Sequence, residues 1–164
     1  MKRKTLYTGW IAVIILLAGC QPKTNIEKID ALKKQIGVSS KSLNELENKN
    51  FVQLEKDFIT CDSLLQYMST DAVNEAFQKL QLADAYIKQF KEVRPVMQAE
   101  IDSTLIRLDQ LKADAESHYF SDSLVSVYIN DETRQVNLLD NQIQYFKDRF
   151  ETCQKDLNLL KKKK

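Results

Sequence analysis

The chain has 164 residues, 43% of them apolar and 29% charged, with 24 Lys and Arg against 23 Asp and Glu. This near-neutral balance supplies no basic field for a nucleic-acid partner, and three glycines and two prolines are too few to punctuate a many-turned β fold. The length suits one domain with a core of its own.

The N-terminal region combines a basic start, Lys2-Arg3-Lys4, with an apolar run from Trp10 to Ala18 and the small-residue box Leu17-Ala18-Gly19-Cys20. The run is far short of the ~20 apolar residues a spanning helix needs. Together these features resemble a bacterial lipoprotein signal peptide with its lipobox. The resemblance implies that residues 1–19 are removed and that Cys20 becomes the first residue of the mature chain. Its thiolate is the nucleophile that accepts a diacylglycerol as a thioether, and its freed amine takes a further acyl chain. Two or more chains anchor stably where one does not. Gln21 rather than Asp follows the cysteine, which in enteric lipoproteins favours the outer membrane. Residues 21–25 also lack the acidic run that marks surface export in Bacteroidota. The expectation is an outer-membrane protein facing the periplasm, with residues 20–25 as an acylated tether and 26–164 as the folded domain. The basic residues of the signal leave the remainder slightly acidic, and Trp10, the chain's one tryptophan, goes with the signal.

From residue 26 the chain reads as all-α. Ile26, Ile29, Leu32 and Ile36 recur at three, three and four, one stripe of a short helix. Gly37-Val38-Ser39-Ser40 reads as an interruption, with Gly37 as a C-terminal cap and the serines as an N-cap. A second helix is expected over about 41–69, with Phe51, Leu54, Phe58, Cys61, Leu65 and Met68 alternating by three and four. Ser69-Thr70-Asp71 reads as a turn.

The next segment spans about 72–117. Val73, Ala76, Leu80, Ala83, Ile87 and Phe90 form its seam, and the same phase passes Arg94 to Met97, Ile101, Thr104, Leu108, Leu111 and Ala115. Pro95 costs a helix interior about 3 kcal/mol. No Gly, Asn or Ser flanks it and the apolar phase carries through, so a kinked continuous helix is preferred to a hairpin. Ser117–Ser121 closes this element, and Ser121 or Asp122 caps a last helix over about 122–161. Its seam is Ile129, Val136, Leu139, Ile143, Phe146, Phe150, Cys153, Leu157 and Leu160, with Glu132 as a polar misfit that points to fraying or a new start near Asn130-Asp131. The expected architecture is an elongated, coiled-coil-like antiparallel bundle of three long helices plus a short N-terminal helix.

Few residues carry candidate chemistry. With Cys20 acylated, Cys61 and Cys153 remain as an even pair, and an oxidising compartment invites a disulfide between them. Counting along the helices places them about 9 Å apart along the bundle axis, so a bond and two buried thiols both stand as readings. There is no C-x-x-C, and a redox enzyme is not expected. His118, the one histidine, lies a turn after Asp114, too few ligands for zinc. Lys161–Lys164 reads as a solvated end complementing the helix dipole. Carboxylates such as Glu55 and Asp57 read as solvated faces. Tyr67, Tyr86, Tyr128 and Tyr145 fall off the seams and mark a candidate contact face.

The functional expectation is therefore non-enzymatic: a lipid-anchored scaffold, adaptor or accessory subunit of the envelope. It would meet the membrane through Cys20 and other envelope proteins or its own copies through helix faces, without cofactor, metal, nucleic acid or small-molecule substrate. Holding unfolded clients in the manner of a chaperone is the alternative.

Overall fold

A computed structural model describes residues 24–67 and 70–162 of the chain. All elements among them are helical: α1 (Asn25–Glu45), a π segment (Leu46–Phe51), α2 (Val52–Leu64), a 3-10 turn (Leu65–Tyr67), α3 (Thr70–Glu116) and α4 (Asp122–Lys162). Residues 1–23, on which the expected signal, Cys20 and most of the expected tether fall, lie outside the described residues, as do Met68, Ser69, Lys163 and Lys164.

α1 starts on a capping box: the Thr24 hydroxyl accepts from the Glu27 amide at 3.3 Å and the Glu27 carboxylate accepts from the Thr24 amide at 2.8 Å. The expected break at Gly37–Ser40 is absent, so there is no separate short N-terminal helix. α1 runs through Gly37 without a turn, and the helical path continues to Tyr67. Ser39 is a seam residue rather than a cap. It is buried, and its one hydroxyl proton lies between the Gln35 carbonyl at 3.0 Å and the Asp140 carboxylate of α4. With that proton bonded, a hydroxyl is tolerated where an apolar side chain is the norm.

The discontinuity falls two to three turns later. Ile29, Leu32, Ile36, Ser39, Leu43 and Leu46 are buried at alternating steps of three and four, and the next buried residue is Phe51, five on. The π segment spans that gap. One extra residue in a turn resets the phase, as i→i+5 hydrogen bonding does, and brings Phe51, Leu54 and Cys61 back to the core.

α3 is unbroken through Pro95. Pro95 and Lys91, one turn earlier, are both exposed, so the carbonyl that loses its partner lies on the watered side. Seam residues Phe90, Met97 and Ile101 are buried on either side of it. Cross-helix pairs flank the site: Lys91 with Glu55 at 2.7 Å and Arg94 with Glu47 at 2.6 Å.

The contacts fix the relative directions. Asp30 meets Lys112 at 2.7 Å and Glu47 meets Arg94, so α1–α2 runs antiparallel to α3. Asn25 donates to the Asp122 carbonyl at 3.0 Å, while Cys61 lies beside the Leu157 carbonyl at 3.3 Å, so α1–α2 runs parallel to α4. One core joins all three stretches, centred on Phe51, Phe90, Phe146 and Phe150 with ring centroids 5.0–6.0 Å apart. Every position assigned to the α4 seam is buried. At 1.5 Å per residue α4 is ~62 Å long, and it runs away from the end where α1 begins.

Candidate functional site

Among the described residues, three polar clusters are set into or against the core, around Ser39, around Asp57 and around Glu132 with buried Thr104. Around Ser39, the Gln35 amide reaches Asp140 at 2.7 Å and Asn137 at 3.3 Å, tying α1 to α4. An open groove of about 270 Å³ lies beside it, lined by Val38, Ser42, Leu46, Asp140, Ile143 and Lys147 among others.

The second inclusion is Asp57. It is buried on α2 rather than on a solvated face, and accepts from Gln53 at 3.2 Å and from Gln154 and Lys161 of α4. Burial pushes its carboxyl up, but the bonds from Lys161, Gln154 and Gln53 and the Lys161 charge outweigh that and hold it below its ordinary value. Lys161, assigned to a solvated tail, is thus a structural cation.

The third is Glu132, the seam misfit. It neither frays α4 nor starts a new helix, because Arg107 of α3 donates to it at 2.7 and 3.1 Å and also reaches Glu100 and Thr104 at 2.8 Å each. The bond to Glu132, above all, holds Arg107 in its charged form.

Cys61 and Cys153 are both buried and both free thiols. Cys61 donates to the Leu157 carbonyl, which lies one turn beyond Cys153 on α4. Burial pushes both thiols up, Cys153 to about 11. Neither is a thiolate near neutral pH, so neither is poised as a nucleophile.

At the opposite end, α3 closes on a Schellman motif. The Tyr119 amide bonds the Asp114 carbonyl at 3.0 Å, the His118 amide bonds Ala115 at 3.3 Å, and His118 takes a left-handed φ of 53°. His118 is therefore a backbone cap in the place glycine usually fills. No group of three or more metal-ligating side chains occurs among the described residues. Ser121 caps α4, its hydroxyl accepting from the Leu124 amide at 3.4 Å. Tyr119, Phe120 and Tyr128 stack edge to face at 4.8 and 5.7 Å around this turn.

Of the four off-seam tyrosines, Tyr67, Tyr128 and Tyr145 are exposed. Tyr86 is half-buried against Tyr145, and Arg149 lies over both rings at 5.6 and 5.2 Å. Tyr145 belongs to a row on α4 outside the seam: Leu138, Tyr145 and Leu159, spaced by multiples of seven with the polar Thr152 between the last two, are exposed. That row was legible from its spacing alone. No family model, curated protein or solved structure matches the chain.

Proposed function

We propose that the protein is a lipoprotein, anchored through Cys20 to the outer membrane and facing the periplasm, whose elongated antiparallel three-helix bundle acts as a non-enzymatic scaffold, adaptor or accessory subunit. The exposed row Leu138, Tyr145 and Leu159 carries this reading. Apolar side chains at heptad spacing beside an already satisfied seam, here interrupted once by Thr152, offer a face to a further helix, from a partner or from a second copy. Tyr86 and Arg149 border the row with broad, rigid surface of the kind that anchors interfaces.

The test is site-directed photocrosslinking in the native envelope. Probes at Leu138 and Tyr145 are expected to give discrete adducts, whereas a probe at Glu151, exposed on the other flank of α4, is expected to give none. Equal labelling at all three sites, or none at any, refutes the scaffold face.

Client holding is the second reading, supported by exposed Ile59, Phe77 and Leu82 at the end of the bundle away from Thr24. It predicts that the folded chain binds a hydrophobic dye and suppresses aggregation of an unfolded client, and that Phe77→Ser weakens both.

A further inference from the structure

We propose that the α3–α4 turn is a membrane-contacting tip: Tyr119, Phe120, Leu124, Val127 and Tyr128 seat in the lipid interface beside the Cys20 anchor. The proposal rests on the lipoprotein reading for the presence of a bilayer at that end.

Chain length supplies the first support. Four residue steps separate Cys20 from Thr24, the N-cap of α1, so Thr24 lies within ~14 Å of the acylated residue even when the tether is fully extended. The second is register. Asn25 donates to the Asp122 carbonyl at 3.0 Å and accepts from the Ser126 hydroxyl at 3.1 Å. Asp30 meets Lys112 near the end of α3. The residues between Lys112 and Asp122 therefore close the bundle at the level of Thr24. A bilayer within reach of Cys20 is within reach of this turn.

The third support is chemistry. Tyr119 is 74% exposed, and Leu124, Val127 and Tyr128 are exposed along one face of the first two turns of α4. Phe120 packs partly on the core and edge to face with both tyrosines, so the exposed rings stand on a rigid base. The left-handed His118 cap holds the turn closed. A tyrosine with an apolar ring and a hydroxyl left in water fits the headgroup region, where aromatic belts collect. Among the described residues, exposed Lys28 is outnumbered at the tip by exposed Glu27, Glu116 and Asp122, so apolar seating rather than attraction to anionic lipid is the mode of contact.

The mature chain has no tryptophan, which makes an inserted one a clean reporter. The full mature chain, acylated at Cys20, is placed on phosphatidylcholine vesicles as the Tyr119→Trp variant and, separately, as the Ile59→Trp variant. Ile59 is exposed on α2, about 50 Å along the bundle from Asp122. The expected result is a blue-shifted indole at position 119, with most of its emission lost to lipids brominated on their acyl chains and little change in high salt. The indole at position 59 is expected to remain accessible to aqueous iodide and untouched by bromolipid. A water-exposed indole at 119 overturns the proposal. So does bromolipid quenching at both positions, which would mean a rod lying flat on the membrane. The mass of the N-terminal peptide reports separately on acylation. Coupling residues 20–164 through Cys20 to a maleimide lipid repeats the quenching test with the anchor supplied chemically, so failure of the tip and failure of the lipoprotein reading are distinct results.

Discussion

Arg107 and Glu132 face each other across the α3–α4 interface, the guanidinium gripping both carboxylate oxygens at 2.7 and 3.1 Å where the α4 seam has its one carboxylate among apolar side chains. Glu132 retains 15% of its side-chain exposure. An acid held there is stable only while its partner remains. Arg107→Leu is expected to destabilise the bundle by about 1–3 kcal/mol, the usual cost of stranding a half-buried charged acceptor. Adding Glu132→Leu should recover much of that loss, because an apolar pair of similar volume often replaces an ion pair at little cost. Urea unfolding of both single variants and the double variant closes the cycle. Additive losses would show that the two side chains are not coupled.

The π segment makes a prediction about chain length. Deleting Asn48 reduces the step from Leu46 to Phe51 to four and restores the alternation of three and four along the whole first helical stretch. The variant is expected to fold with thermal stability close to that of the parent. Deleting Gln89, exposed in the middle of α3, turns half of an unbroken seam by ~100° and is expected to abolish cooperative unfolding. Calorimetry on both proteins makes the comparison. Equal damage from the two deletions would mean that the π segment does not set the phase.

Asp57 gives the acid limb of stability a specific slope. Its folded carboxyl lies below the ordinary value, so it releases its proton more readily in the folded chain than in the unfolded one. Its stabilising contribution is fully present above the ordinary carboxylate range and disappears as pH falls through the lowered folded value. Asp57→Asn should therefore be less stable than the parent at neutral pH, and the difference should shrink on acidification. A constant difference down to the acid-unfolded state would remove Asp57 from the linkage.

At His118 the backbone is left-handed with a side chain attached. His118→Gly relieves that strain, offset in part by the freedom glycine adds to the unfolded chain, and a gain of about 0.5–1 kcal/mol is expected. A loss of stability on this change would assign the imidazole itself a structural role.

Cys61 and Cys153 should resist thiol reagents in the native state and react promptly once the chain is denatured, because both are buried and burial pushes both thiols up. Mass spectrometry of non-reduced peptides from protein prepared in an oxidising compartment is expected to find both unlinked, matching the free thiols of the structure. A Cys61–Cys153 peptide would restore the disulfide.

Much of the architecture is legible residue by residue. The α4 seam and most of the α3 seam lie buried where their spacing places them, because alternating steps of three and four have only one helical solution that buries a common stripe. Continuity at Pro95 follows from the same phase persisting on both sides. A polar residue in or beside a seam imitates punctuation or a solvated face. Ser39 after Gly37 looks like a cap until Asp140, 101 residues later, is placed beside it. Asp57 looks solvated until Lys161 closes over it, and Glu132 looks like fraying until Arg107 arrives. The Thr24–Glu27 capping box, by contrast, is local and readable, and marks the start of α1 directly.

The lipobox resemblance, the helical class, most seam positions and the near-neutral charge are written in the chain, since periodicity and composition act over a few turns of chain. Where the helices stop and which polar groups the core accepts depend on packing between helices. A buried hydroxyl, carboxylate or phase slip is tolerated only when a partner on another helix satisfies it. Tertiary packing alone also brings the aromatic α3–α4 turn level with Thr24, because that depends on the register of three helices whose contacting residues lie up to about a hundred positions apart.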